Sequence, residues 1–248
     1  MTLEFIDSGG DCRGKILFFK FNQTKTNLFE IKKGFARGGH FHDYDIIHTL
    51  IIGKIEHRMK SLNSKHEKIE TITAPAIIKI PARTANLIIA LDDSLFSEIF
   101  ESEYKSTIFP EYREIVMQKM EKNFSELNTL KIDEQLEDLR GKIYFCKFGE
   151  KNVNLIEIKK GFARGGHYHK FNSEHIFLSG KIEYLEKNLE TNNESKQIID
   201  CVKIILTRSK IAHMFNGIET SLFIESFNGN YEAVFFPEYR KIIDDKMN

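Results

Sequence analysis

The sequence predicts an all-β protein made of two tandem copies of one domain, each a β-sandwich or barrel that ends in a helix. Two observations predict this organisation. Long stretches of the chain recur at a constant offset of 127 residues. Within each copy, short β-branched and aromatic runs alternate with Gly and Asn clusters, as in sandwiches and barrels. The repeat is a duplicated domain, because solenoid repeats span only ~20–50 residues.

The repeat sets the predicted domain boundaries. The decapeptide IKKGFARGGH occupies residues 31–40 and again residues 158–167. The alignment predicts an N-terminal domain over residues 1–120, a charged linker over 121–137 that could hold a short amphipathic helix, and a C-terminal domain over 138–248.

A proline in each copy predicts where the closing helix begins. Pro110 and Pro237 occupy matching positions in the repeated FPEYR sequence. Proline suits the first position of a helix, where its missing N–H has no partner to lose.

Composition excludes several classes of function. The 36 Lys and Arg residues balance 36 Asp and Glu residues, whereas a nucleic-acid-binding protein usually carries a basic excess. No apolar run approaches the ~20 residues that span a bilayer. The sequence therefore predicts neither a nucleic-acid nor a membrane partner.

Cys12, Cys146 and Cys201 have no close spacing, which is typical of reduced, mostly buried thiols in a cytoplasmic protein.

Four side chains of the second copy form a candidate metal site. His167 and His169 are two residues apart, so in a strand they point to the same side. A four-residue connection could bring Glu174 to that side from the next strand, and His213 is the candidate fourth ligand. A histidine in an apolar run is more often a core residue, but the independent H-x-H-x4-E pattern favours a metal. Imidazole and carboxylate together suit a divalent transition metal such as Zn, Fe, Mn or Ni.

The first copy retains only part of this pattern. His40 and His42 align with the first two histidines, but Ile47 stands at the carboxylate position and Asn86 at the third histidine position. Two imidazoles make a poor divalent site, which normally needs at least three good ligands. The sequence predicts one metal ion per chain, in the second copy, and a first copy that is structural or lines a metal-free pocket.

Two further positions that are identical in the two copies are expected to face away from the site, because side chains alternate between the two faces of a strand. His48 and His175 occupy matching positions, neighbour the carboxylate position and are expected to face away from the site, in core or interface packing. Arg164 could hold a carboxylate or phosphate of a substrate. It faces away from the two histidines unless residues 165 and 166 form a bulge, so a structural ion pair is the alternative.

These residues resemble the cupin superfamily. Its first motif has the form G-x5-H-x-H-x3-4-E-x6-G, and a second motif supplies a later histidine. Gly161, His167, His169 and Glu174 fit the first motif, although Gly180 follows one residue early. The second motif keeps only its histidine. The resemblance covers both copies and implies a bicupin, with two tandem jelly-roll barrels that each end in a helix.

A narrower resemblance concerns function. The segment RGGHYHK, from Arg164 to Lys170, is similar to a motif of nucleotide-sugar 3,4-ketoisomerases and of the C-terminal cupin of capsular-polysaccharide reductases. It implies a small-molecule substrate of the sugar or nucleotide-sugar class and isomerisation or epimerisation next to a carbonyl. The same ligands also occur in metal-dependent dioxygenases and oxalate decarboxylases, and other cupins only bind a ligand. The sequence leaves open whether this chain is an enzyme and whether it forms a homo-oligomer.

Overall fold

The structure is a computed structural model that describes residues 2–64, 66–100, 104–122 and 130–247. The chain divides into two compact units. Unit 1 comprises Leu3–Lys131 and unit 2 comprises Ile132–Asn248. Each unit is built from antiparallel strands followed by one helix.

The strands described in unit 1 are β1 (Leu3–Asp11), β2 (Gly14–Phe21), β3 (Thr24–Ile31), β4 (Ala36–Phe41), β5 (Ile46–Ile52), β6 (Lys54–Ser61), β7 (Glu67–Thr73), β8 (Ala76–Ile80), β9 (Thr84–Ala90), β10 (Ser94–Phe100) and β11 (Thr107–Ile108). Helix α1 (Pro110–Lys122) follows them. The first strand of the second half is β12 (Leu130–Asp138), which begins two residues before the boundary of unit 2. The further strands described in unit 2 are β13 (Gly141–Phe148), β14 (Lys151–Ile158), β15 (Ala163–Tyr168), β16 (Ser173–Ser179), β17 (Ile182–Asn188), β18 (Glu194–Ile199), β19 (Lys203–Thr207), β20 (Ile211–Gly217), β21 (Ser221–Asn228) and β22 (Val234–Phe235). Helix α2 (Pro237–Asp245) closes the unit. Both helices begin at the predicted prolines.

Each unit contains a six-stranded and a five-stranded sheet. In unit 1 the orders are β1-β2-β3-β10-β5-β8 and β11-β4-β9-β6-β7. In unit 2 they are β12-β13-β14-β21-β16-β19 and β18-β17-β20-β15-β22, the same arrangement strand for strand. The predicted fold class is confirmed: the chain is all-β with two tandem jelly-roll barrels, each ending in a helix.

The core of each barrel lies between its two sheets. In unit 2, Phe177 and Phe223 of one sheet pack with Tyr184 and Phe215 of the other. These side chains are almost completely buried. Because the sequence has no Trp and 21 Phe, phenylalanine supplies most of the large aromatic surface that the cores bury.

Each helix covers the outer face of a five-stranded sheet. In unit 2, Tyr239 and Ile243 of α2 pack on Ala163, Ala212 and Met214. This packing holds the helix beside β15, which carries the predicted metal ligand His167. Neither described helix is long and apolar enough to cross a lipid bilayer.

Part of the predicted linker is a strand. Residues 130–138 form β12, which lies beside β13 at the edge of the six-stranded sheet. Leu130 is 1% exposed, so this segment, whose charges had suggested a linker, is part of the folded structure. The remaining residues at 123–129, where the short linker helix was expected, lie outside the described residues.

The cysteines are free, as expected, but not uniformly buried. Cys146 is buried in the core, Cys12 is partly buried, and Cys201 is exposed.

A buried histidine in unit 1 makes the stability of the fold depend on pH. His57 in β6 is 0% exposed, and both its ring nitrogens lie buried without a hydrogen-bond partner. The nearest carboxylate oxygen, from Glu70, is 3.8 Å from Nδ1. Burial is the main cause that lowers the pKa of His57 to about 4. Between that pH and ~6.5 the unfolded chain binds a proton that the folded chain does not, so the free energy of unfolding falls as the pH drops through this window.

We expect His57→Phe to remove this part of the pH dependence, which amounts to at most about 3 kcal/mol. Chemical denaturation followed by circular dichroism, at neutral pH and at a pH near the lower end of the window, measures it. His66→Phe, at an exposed position, is the control. An unchanged pH dependence in His57→Phe would contradict the prediction.

Candidate metal centre

Two neighbouring strands bring the three predicted histidines together. His167 lies in β15 and pairs directly with His213 in β20, so both side chains point to the same face. His169 follows β15, and its ring centroid lies 4.6 Å from that of His167 and 5.5 Å from that of His213. One ring nitrogen from each residue lies within 4.8 Å of the other two. The three imidazoles therefore converge as the sequence predicted.

Backbone carbonyls orient two of these imidazoles. His169 Nδ1 lies 2.7 Å from the carbonyl oxygen of Glu232, and His213 Nδ1 lies 3.3 Å from that of Ile211. A carbonyl only accepts, so each Nδ1 carries the proton and each Nε2 keeps a free lone pair. His169 Nε2 is buried without a hydrogen-bond partner. A buried, unsatisfied lone pair beside two further imidazoles is the donor arrangement that a divalent ion would satisfy.

Burial keeps the three imidazoles neutral. It is the main cause that lowers the pKa of His167 to about 4, and the neighbouring His169 adds to the shift. Burial likewise lowers the pKa of His169, and it holds the pKa of His213 well below the ordinary value. Because only the neutral imidazole donates to a metal, the site is ready for coordination at neutral pH.

A second cluster contains a carboxylate that the sequence analysis did not select. His175 in β16 pairs directly with Glu225 in β21, and its Nε2 lies 3.4 Å from Glu225 Oε1. The other carboxylate oxygen accepts a 3.2 Å hydrogen bond from Asn154. Burial would raise the pKa of Glu225, but the hydrogen bond and charge of His175 lower it below its ordinary value. His175, His213 and Glu225 form a second group of potential ligands that shares His213 with the first.

The expectation that His175 faces away from the site is wrong. Its ring centroid lies 5.1 Å from that of His213, and it lines the same cavity. The strand geometry explains this orientation. His175 and Phe177 are two residues apart on β16 and therefore face the same side, and Phe177 belongs to the core.

Glu174 consequently lies on the opposite face of β16, and the structure does not bring it to the three histidines. It pairs with Leu206 of β19, which is 63% exposed, and with Ser226 of β21. Its Oε2 accepts a 3.0 Å hydrogen bond from Ser226 Oγ. Among the described residues, Glu225 is the carboxylate beside the imidazoles; its Oε1 lies 3.8 Å from His169 Nε2.

Arg164 faces inward because the glycine pair forms a bulge. The register between β15 and β20 shifts between Gly165 and His167, which turns Arg164 to the side of the histidines. Its guanidinium donates to the carbonyl oxygens of Glu157 and Gly141 and pairs with Asp138 at 3.1 Å. Arg164 thus links three segments of unit 2 beside the cavity, and these contacts satisfy the buried guanidinium.

Four members of the two clusters, His167, His175, His213 and Glu225, line a cavity of about 370 Å³ in unit 2. Its walls combine the polar groups described above with apolar side chains, among them Ile143, Ile156 and Phe235. Unit 1 has a matching cavity of about 360 Å³, with Asn86 at the position of His213. Both potential metal-ligand groups found among the described residues lie in unit 2.

His175 and Glu225 were not among the predicted site residues, although the sequence contains a signal for both. Both are unchanged between the copies, as His48 and Glu98. Glu225 also directly follows the apolar run from Leu222 to Ile224, and a charged residue in a buried strand is costly unless it has a partner.

The sequence matches no protein-family model and no curated protein. Among solved structures, the chain is similar to an oxalate decarboxylase of Bacillus subtilis, a protein described as containing Mn(II) centres. The TM-score is 0.43 and the identity 14%, over 96% of this chain and 80% of that chain. It is also similar to the formate complex of the Lactobacillus farciminis oxalate decarboxylase, with a TM-score of 0.42 and 15% identity over 99% and 93% of the two chains. Chains this dissimilar need not share an activity, because one fold serves many functions.

The β15 bulge at Gly165, which packs against the backbone of His213, can be tested by a substitution that adds a Cβ. Gly165 has φ +95°, and a Cβ there would lie 2.7 Å from the carbonyl oxygen of His213. Gly165→Ala should destabilise the protein by about 1–3 kcal/mol, since it adds both backbone strain and a clash with β20. Gly161→Ala is the matched control, because Gly161 has φ +87° but no atom within 4 Å of its added Cβ. Thermal unfolding compares the two variants, and an equal loss of stability would contradict the steric role.

Proposed function

We propose that unit 2 binds one divalent transition metal ion through His167, His169 and His213, with Glu225 as the carboxylate ligand. The convergence of three neutral imidazoles, with the lone pair of His169 Nε2 unsatisfied, carries this proposal. Three imidazoles and a carboxylate suit Zn, Fe, Mn or Ni. Glu225 replaces Glu174 in the ligand set because its carboxylate is the one that lies beside the imidazoles.

We further propose that the metal-loaded cavity acts on a small molecule next to a carbonyl group, as an isomerase or epimerase of a sugar or nucleotide sugar. The bound ion would act as a Lewis acid that polarises the carbonyl oxygen. The resemblance of RGGHYHK to sugar-nucleotide cupins supports this substrate class.

Two side chains of the cavity are placed to handle protons. His175 lines the cavity between Glu225 Oε1 and the hydroxyl of Thr207, whose Oγ1 lies 3.1 Å from Nδ1. In its neutral form, with the Nε2 proton directed at Glu225, His175 could take a proton at Nδ1 from the carbon next to a carbonyl and return it at another atom. Burial raises the pKa of Tyr231, so its hydroxyl stays protonated and can donate a hydrogen bond to a substrate oxygen.

Deuterium incorporation tests this function. With a ketose or keto-sugar nucleotide in D₂O, the metal-loaded protein should exchange the hydrogen next to the carbonyl, as followed by NMR. His175→Gln should abolish the exchange while metal binding persists. Equal exchange by wild type and His175→Gln would remove His175 from the proposed mechanism, and no exchange by wild type would contradict the isomerase assignment.

A metal-dependent dioxygenase or decarboxylase is the second candidate. The same donor set, three imidazoles and one carboxylate, favours it, because such a set leaves coordination positions open for substrate and O₂. Oxygen consumption or CO₂ release by the metal-loaded protein would identify this chemistry.

A matched pair of variants tests the metal site itself. His213→Ala should weaken metal binding at least about 100-fold, because it removes one imidazole from the ligand set. Asn86→Ala, at the equivalent position in unit 1, should leave it unchanged. A metal that binds only the folded state adds about 2.7 kcal/mol at a hundredfold excess over Kd. A chelator should therefore lower the Tm of wild type and Asn86→Ala but not of His213→Ala. Full metal occupancy in His213→Ala would make His213 a core residue.

A second pair separates the two candidate carboxylates. Glu225→Gln should weaken metal affinity about 10-fold or more, since an amide oxygen carries no charge. Glu174→Gln should leave affinity unchanged because this carboxylate faces Ser226 on the outer side of the sheet. Metal titration with a fluorescent competitor chelator measures both. A larger effect from Glu174→Gln would restore the ligand set predicted from the sequence.

A further inference from the structure

The cavity of unit 1 keeps the size and most of the lining of the unit 2 cavity. The volumes are about 360 and 370 Å³. Residues that line both cavities and are unchanged between the copies include Asn27/Asn154, His40/His167, His48/His175, Glu98/Glu225 and Tyr104/Tyr231. Protein interiors are packed to high density, with few voids larger than a water molecule. A copy kept only for its fold would be expected to fill such a space with side chains.

The unit 1 cavity differs from the unit 2 cavity in one potential metal ligand and in the partners of one arginine. Asn86 replaces His213, so the unit 1 cavity has one imidazole fewer. Asn86 is 1% exposed, and its Oδ1 is buried without a hydrogen-bond partner. Its side-chain amide donates only to the carbonyl oxygen of His40, at 3.4 Å. An unsatisfied acceptor in the cavity wall is a feature that a hydroxyl or bound water of a ligand complex would satisfy.

The arginine at the start of each helix shows the largest change in partners. In unit 2, Arg240 Nε lies 3.0 Å from Asp244, and its guanidinium lies over the ring of Phe235, 5.2 Å from the centroid. In unit 1, Met117 stands at the position of Asp244 and Ile108 at that of Phe235. Arg113 lines the unit 1 cavity and is exposed, and the ion pairs found among the described residues do not include it.

The other charged groups of the unit 1 cavity are already paired within the protein. Arg13 is held by Asp11, and Arg37 donates to the carbonyl oxygens of Glu30 and Gly14. Glu98 Oε1 lies 2.8 Å from His48 Nε2. Burial lowers the pKa of His40 to about 4, so this imidazole is neutral. Arg113 is therefore the cation available to a ligand.

We infer that unit 1 is a second, metal-independent binding site for a small hydroxylated organic anion, with Arg113 as the counter-charge at the cavity wall. A carboxylate or phosphate would accept hydrogen bonds from the guanidinium. The neutral imidazole and amide groups would meet hydroxyls, and Ile16, Phe29 and Ile88 would cover the carbon skeleton. This inference does not depend on the function proposed for unit 2.

Calorimetric titration of the full chain after chelator treatment tests this site. The probes are D-glucuronate and D-glucose 1-phosphate, which carry the two kinds of anion on a similar hydroxylated ring, and neutral D-glucose. At least one anion should bind at millimolar concentration, and glucose should bind at least about tenfold more weakly. The stronger of the two anions identifies carboxylate or phosphate as the preferred group. Repeating the titration with metal-loaded protein should give the same affinity.

Three variants locate the binding. Arg113→Gln should weaken anion binding about tenfold or more, since it removes a charge-assisted hydrogen bond. Met117→Asp should also weaken it, because the new carboxylate would hold Arg113 as Asp244 holds Arg240. Arg240→Gln, the matched change in unit 2, should leave it unchanged. Thermal unfolding confirms that each variant is folded.

Three results would overturn the inference: neither anion binds folded wild type, glucose binds as tightly as both anions, or Arg240→Gln loses binding while Arg113→Gln retains it. Failure of metal binding in unit 2 would leave all of these measurements unaffected, so the two proposals can fail separately.

Discussion

A carboxylate in the barrel interior, paired with an imidazole on the next strand, is the constraint on which both cavities depend. Glu225 pairs with His175 in unit 2, and Glu98 pairs with His48 in unit 1. An isolated charge in such a place would be strongly unfavourable, so the partner has to be supplied by the fold. The antiparallel register of β21 with β16, and of β10 with β5, supplies it by placing the two residues directly opposite each other.

This pairing explains how one architecture can support two different sites. In unit 2 the Glu225 carboxylate lies 3.8 Å from His169 Nε2 and shares a group of potential ligands with His213, and on this arrangement we base the proposed divalent metal site. In unit 1 the Glu98–His48 pair persists, but Asn86 takes the place of the third imidazole and Arg113 is released from its acidic partner. The differences Asn86/His213 and Met117/Asp244 on matching scaffolds are the basis on which we propose metal coordination in unit 2 and anion binding in unit 1.

The sequence predicted the duplication, the all-β fold and the three convergent histidines because each depends on a local or periodic pattern. Identical segments revealed the copies, and the H-x-H spacing placed His167 and His169 on one face. Glu174 was misplaced because its orientation depends on where β16 begins relative to the preceding turn. A shift of one residue there moves every side chain to the other face. The inward residue is therefore His175, and the carboxylate comes from a strand 50 residues further along the chain.

The central claim is that the two cavities differ in metal binding although their scaffolds match. Anomalous diffraction from crystals of the metal-loaded protein, collected on both sides of the metal's absorption edge, tests this most directly. The account predicts one anomalous peak per chain, bonded to His167, His169, His213 and Glu225, and none beside His40 and Asn86. A peak of equal height in unit 1, or a unit 2 peak bonded to Glu174, would contradict it.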